Sequence, residues 1–96
     1  MIIGYERVIA DATVKTATAF SIPDRATRAI VQCEDFNVRF TMDNATDPSA
    51  SVGFLMQQGT WYEFPIEDFK RIRFTVKNGG TNQAPMNIHY ATGRDV

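Results

Sequence analysis

"NVRFTMDNATDPSASVGFLM", Asn37 to Met56, decides how this chain folds. At its start Val38, Phe40 and Met42 alternate with Asn37, Arg39 and Thr41. At its end Val52, Phe54 and Met56 resume the apolar face across Gly53 and Leu55. A period of two marks a half-buried strand, because successive side chains leave a pleated backbone on opposite faces. Between the two runs, Asp43 to Ser51 is nine small or polar residues with no aliphatic side chain larger than Ala. The stretch therefore reads as strand, long rim loop, strand, with Phe40 and Phe54 expected to point inward.

The same period recurs on both sides of it. Upstream, Ala29, Val31 and Cys33 share one face, and Arg28, Ile30, Gln32 and Glu34 the other. Downstream, "QQG" (Gln57 to Gly59) is a turn signal. Tyr62, Phe64 and Ile66 then take one face, with Trp61 and Glu63 opposite. Pro65 removes a ladder donor, so that strand is short or at an edge. Ile72, Phe74 and Val76 alternate with Arg71, Arg73 and Thr75. "KNGGTNQAP" is a second polar loop, and Met86, Ile88 and Tyr90 close the series with Asn87 and His89 outward. Helical spacing is faint, through Ile66, Phe69 and Ile72. It fits one short turn at Ile66 to Phe69, because a longer helix would consume the following strand. In the N-terminal third "YERVI" reads as a strand, "ATVKTATAF" as β-prone, and "SIPDRAT" as a turn.

Seven to eight short strands separated by turn residues predict an all-β fold, an antiparallel β-sandwich of jelly-roll or immunoglobulin-like topology. Alternation does not choose between the two, since it says nothing of strand order. The chain of 96 residues is expected to be a single domain, 1–96, with residues 1–10 an N-terminal strand or arm. A chain this short buries roughly 60–65% of its unfolded surface, so association with further copies would add burial. Exposed strand edges invite pairing with other chains, and Pro65 together with the charges of "YERV" and "KRIR" is expected to limit it.

Composition excludes whole classes of function. Ten basic and eleven acidic residues leave a net charge of −1, against the positive surplus that non-specific nucleic-acid binding requires. The one dense basic cluster, Lys70 to Arg73, lies beside the acids of "IEDF" and reads as a solvated strand face. No apolar run approaches the roughly 18 residues of a membrane helix. "MIIGYERVIA" is not expected to be a signal peptide, and a reducing, aqueous compartment is expected. Asn44-Ala45-Thr46 fits the glycosylation acceptor pattern, which matters only on a secretory route.

Catalytic, metal and cofactor sites are not expected. Cys33 follows Ile30 and Val31 and reads as a buried small apolar residue without a disulfide partner. His89 alternates outward, and no serine sits in a strained elbow, so no nucleophile–base–acid set is expected. Glu67 and Asp68 read as turn carboxylates. Asp43, Asn44 and Asp47 bracket the polar loop with oxygens that suit Ca²⁺, but their spacing matches no calcium loop, and turn-starting Asx residues explain them as well. Trp61 is outward, and three roles compete for it. It could anchor another chain, stack on a sugar ring, or cover a loop of its own chain.

The stretch "RAIVQCEDFNVRFTMDNATDPSASVGFLMQQGTWYEFPIEDFKRIRFTV" resembles small virion proteins of tailed bacteriophages. The resemblance rests on Val31 and Gln32, Val38-Arg39-Phe40, Asp43, Thr46, Pro48, Ser51, Gly53, Gly59, Glu63, Ile72-Arg73-Phe74 and Tyr90. It runs from Arg28 to Tyr90. Asp47 is an acid extra to that pattern, and the first 27 residues lie outside it. The resemblance implies a non-enzymatic structural component of the virion, a capsid decoration or cement protein that stabilises the head by bridging major capsid subunits. It implies homotrimers on the capsid surface, made in the bacterial host cytoplasm, with partners among the major capsid protein or other virion subunits. Subunit contacts are then expected at the loop, through Asp43, Asn44, Thr46, Asp47 and Pro48, and at Trp61. The alternatives are a phage tail or fibre accessory, or a carbohydrate-binding module that stacks sugars on Trp61 and Tyr62.

Overall fold

The structure is a computed structural model that describes residues 1–93. Those residues form eight strands: β1 (Ile2–Ala10), β2 (Lys15–Thr16), β3 (Arg28–Cys33), β4 (Val38–Thr41), β5 (Phe54–Met56), β6 (Tyr62–Pro65), β7 (Arg73–Val76) and β8 (Ala84–Ala91). A 3₁₀ turn, Ala17–Ala19, follows β2. A single helical turn, α1 (Ile66–Phe69), follows β6, where the faint helical spacing predicted it. Pro65 precedes it, placing a residue with fixed φ where a helix has no need of the N–H.

The strands make two four-stranded antiparallel sheets in the orders β1-β8-β3-β6 and β2-β7-β4-β5. The first strand pairs with the last, the second with the seventh, the third with the sixth and the fourth with the fifth. The chain is thus one long antiparallel hairpin rolled over on itself. β3·β8 and β4·β7 contacts close each half into a sheet. That order is a jelly roll rather than an immunoglobulin sandwich.

Between the sheets lies an aromatic and aliphatic core. Val31, Cys33, Val38, Met56, Phe69, Phe74, Met86 and Ile88 are all fully buried, each aliphatic or aromatic chain contributing about 1.5–3 kcal/mol of burial. The rings form a connected series. Phe40 meets Phe64 edge-on at 5.5 Å, Phe64 lies 6.2 Å from Phe69, and Phe20 bridges Phe69 and Phe74 at 4.8 and 5.1 Å.

Rolling the hairpin sorts the loops into two ends. Connections β1–β2, β3–β4, β5–β6 and β7–β8 gather at one, tied by Val76 N–H to Asp11 C=O (2.9 Å), Lys77 N–H to Asn37 C=O (2.9 Å) and Gly59 N–H to Cys33 C=O (2.8 Å). Connections β2–β3, β4–β5 and β6–β7 start from the other, tied by Ile66 N–H to Thr27 C=O (2.9 Å).

Two expectations change, and one choice is made. Phe54 was expected in the core, and it is 74% exposed. It does sit opposite Phe40, on the same side of the ladder, with ring centroids 6.0 Å apart. But β5 is the three-residue outer strand of its sheet, and Phe54 begins it. Alternation chooses a side of the sheet, and a side chain at the sheet's margin has no roof. Val52, in the bend that leads into β5 and outside the ladder, is exposed as well. Thr75, expected outward toward water, is 5% exposed, because its hydroxyl donates to Asp11 C=O (2.8 Å) and the β4–β5 loop lies against its neighbourhood. Of the strand or arm expected over residues 1–10, the structure has the strand: Ile2–Ala10 run along the margin of their sheet, and the Met1 carbonyl before them accepts from Thr92 N–H (2.9 Å).

Candidate functional site

The β4–β5 loop is built by local hydrogen bonding. One Asp43 carboxylate oxygen accepts from Ala45 N–H (3.0 Å) and Thr46 N–H (2.9 Å), and the other from the Thr46 hydroxyl (2.6 Å). Those three bonds, the hydroxyl's first, hold the Asp43 carboxyl at about 2, below the usual carboxylate range. Asn44 adopts a left-handed φ of 58°, which a short amide side chain tolerates better than most. Arg73, at the start of β7, then clamps the loop. It donates to Asp47 Oδ1 (2.7 Å) and to Asn44 C=O (3.1 Å). Arg39 donates to the carbonyls of Ala50 (3.4 Å) and Gly53 (3.1 Å). Gly53 has a φ of +109°, and a Cβ there would come within 2.9 Å of Phe40 C=O. Glycine is required at that return point.

The loop therefore folds back over the outer face of β2-β7-β4-β5. Pro48 is buried against its own chain, so its side chain is not presented to a partner. Asp43, Asn44, Thr46 and Asp47 remain exposed. The carboxylates that suited Ca²⁺ already have donors from their own chain. Among the described residues no three His, Cys, Asp or Glu side chains converge on a common point. Glu67, in α1, faces Lys70 just past its end at 3.7 Å.

Beside the loop, Phe54 and Val52 form an apolar rim. They stand at the open side of the sandwich where β5 and β6, the outer strands of the two sheets, adjoin. Phe64 and Tyr62 of β6 are half-buried there and stack at 6.4 Å. The Tyr62 hydroxyl accepts from Gln57 N–H (3.0 Å). Tyr62 thus faces the sandwich interior rather than joining Trp61.

Trp61 lies elsewhere. It is 73% exposed and adjoins the outer face of the other sheet, β1-β8-β3-β6. There the register sets Tyr5, His89, Ile30 and Glu63 in one row across four strands, and Arg7, Asn87 and Gln32 in the next. Tyr5 meets His89 edge-on with centroids 5.5 Å apart. The structure thus separates the predicted contact set: Trp61 belongs to one sheet and the loop to the other. Tyr5, Ile30 and Asn87 were missed as site residues. Their outward alternation was legible, but their meeting depends on β8 lying between β1 and β3. His89 is exposed, as its alternation required.

A scan of protein-family models, a search of curated proteins and a search of solved structures each found no match for this chain.

Proposed function

We propose that this chain is a non-enzymatic structural component of a tailed-bacteriophage virion, a capsid decoration protein that assembles as a homotrimer and bridges major capsid subunits. The observation that carries the reading is the apolar rim of Phe54 and Val52 beside a clamped polar loop. A small chain with a thin core that leaves a Phe 74% exposed has an anchor for another subunit. The rim and loop together make a contact of mixed character, apolar in the middle and polar around it. The resemblance over Arg28 to Tyr90 supplies the kind of assembly. Its matched residues include Gly53, Asp43, Thr46 and Pro48, which here shape that loop.

Such a role needs no cleft. It needs a rigid fold, a presented rim and many copies, so that weak contacts sum through multivalency. Contact residues are then Asp43, Asn44, Thr46, Asp47, Val52 and Phe54. Arg73, Arg39 and Pro48 hold the loop in shape from behind.

Particles purified with and without the encoding gene test this directly. The expected result is the chain present in many copies per particle, and a lower disruption temperature of the head when the gene is deleted. Particles that lack the chain altogether would overturn the reading. The purified chain should sediment as a trimer at high concentration.

A further inference from the structure

On the opposite side of the sandwich from the β4–β5 loop, the outer face of β1-β8-β3-β6 carries a shallow depression of about 120 Å³. Its sides are Tyr5, 58% exposed on β1, and Trp61, 73% exposed beside β6. Ile30 is half-buried between them, with Gln32, Asn87 and His89 around it. We infer that this depression is a binding site for a neutral sugar ring, held between Trp61 and Tyr5. The inference does not rest on the virion reading, which uses the other sheet.

Three features point to a polyhydroxylated, uncharged ligand. The first is the aromatic pair. Two amphipathic rings stand exposed on a rigid sheet and present flat apolar surface, which suits the C–H face of a pyranose. The second is a set of amides already fixed in place. Gln32 donates through Nε2 to Gly59 C=O (3.3 Å), leaving its Oε1 as an acceptor. Asn87 accepts from the Tyr5 hydroxyl (2.6 Å) and donates to Glu34 Oε2 (3.1 Å), leaving one N–H and one lone pair. A mostly apolar hollow with a few oriented polar groups is the general form of a small-molecule site. The third is charge. Among the described residues no Lys, Arg, Asp or Glu side chain lines the depression, and Ile30, Gln32, Trp61 and Asn87 cannot ionise.

The competing occupant is an apolar side chain of a second protein copy. It would cover Gln32 and Asn87 without answering their remaining hydrogen-bond capacity, and a polar group buried without a partner opposes binding. Hydroxyl groups answer it. The depression is shallow and open to solvent, so the ring held there can belong to a longer glycan.

Trp61 is the sole tryptophan of the chain, so its fluorescence reads the site alone. The full chain is screened against an array of neutral and sialylated oligosaccharides, and the best binder is titrated in solution. The expected result is a neutral oligosaccharide that shifts Trp61 emission to the blue and saturates with a dissociation constant of about 1 mM or tighter. Trp61→Ala and Tyr5→Ala should each weaken binding at least tenfold by calorimetry, Trp61→Phe should retain it within a few fold, and Thr81→Ala, in the β7–β8 loop and outside the depression, should leave it unchanged. Trp61 is exposed and Thr81 lies outside the depression, so the circular dichroism and melting temperature of their variants should match the parent, while Tyr5→Ala, which also loses the hydroxyl's bond to Asn87, should keep the parent's circular dichroism. Three results would overturn the inference: no neutral glycan saturating below about 10 mM, binding that survives Tyr5→Ala, or a change in solution mass in Trp61→Ala without any glycan effect. The last would mark the face as a contact between copies.

Discussion

The Tyr90 hydroxyl donates a 2.5 Å hydrogen bond to the carboxylate of Glu6, joining β8 to β1 beneath the sheet. Glu6 also accepts from Ser21 N–H (2.8 Å), which draws the β2–β3 connection against the margin of the sheet. Burial first, then the bond to Glu6 and its charge, push the Tyr90 phenol well above its ordinary range. An inward-pointing acid on an outer strand is a known device against edge-to-edge pairing. Here it is satisfied by two donors, and Lys15 Nζ caps the Ile9 carbonyl farther along the same strand (2.8 Å). Tyr90→Phe and Glu6→Gln should each lower the unfolding free energy in urea by about 1–3 kcal/mol. The double variant should lose clearly less than the two added together. Strict additivity would contradict the coupling.

Phe40 and Phe54 are opposite neighbours in one ladder with opposite burial, 7% against 74% exposed. Phe40→Ala should destabilise the isolated chain by about 3–5 kcal/mol. Phe54→Ala should change it by no more than about 0.5 kcal/mol. Urea midpoints measured at concentrations where the chain is monomeric decide this. A large loss in Phe54→Ala would return Phe54 to the core.

That pair also shows where legibility in the sequence ends. Alternation placed Ala29, Val31 and Cys33, then Ile72, Phe74 and Val76, then Met86, Ile88 and Tyr90 on the correct face, because a side chain's side is a local property of a strand. It put Phe54 on the correct side too, and still misjudged its burial. Burial depends on which strand lies opposite, and that is set by an order, β2-β7-β4-β5, that no local pattern encodes. The same limit hid the Tyr5–Trp61 face, whose members come from β1 and from beside β6 and meet only through β8 and β3. Pro48 was read as presented because it sits in a polar loop. The loop's return over its own sheet depends on Arg39 and Arg73, which read locally as solvated strand residues.

Burial pushes the Cys33 thiol up to about 11 from an ordinary 9.0, and its Sγ lies 3.5 Å from the Met56 carbonyl. A folded value above the unfolded one contributes stability that is complete below pH 9 and is lost as pH rises from about 9 through about 11. At pH 8 a thiol reagent should label the native chain at least about a thousandfold more slowly than the urea-unfolded chain, since it reacts through the rare open state. Rapid labelling of native protein would contradict the placement of Cys33.

Asp43 shows the opposite sign. Its carboxyl is lowered to about 2 from 3.8, so the loop's hydrogen bonds are present above the ordinary value and lost as pH falls from about 4 through about 2. The Thr46 amide chemical shift should titrate with a midpoint near 2, and in Asp43→Ala that transition should vanish. A midpoint near 4 would mean the three bonds are not made. Because Asp43 and Asp47 are already engaged by Thr46, Ala45 and Arg73, millimolar Ca²⁺ should leave the melting temperature unchanged.

The proposed role stands most directly on Phe54. Phe54→Asp, made in the encoding genome, alters a side chain that the folded monomer leaves exposed. Copies of the chain per purified particle are then counted by quantitative mass spectrometry, beside the melting temperature of the purified variant. The account predicts a variant that melts like the parent yet is depleted at least tenfold from particles. A variant that folds and is incorporated at parental copy number would contradict it.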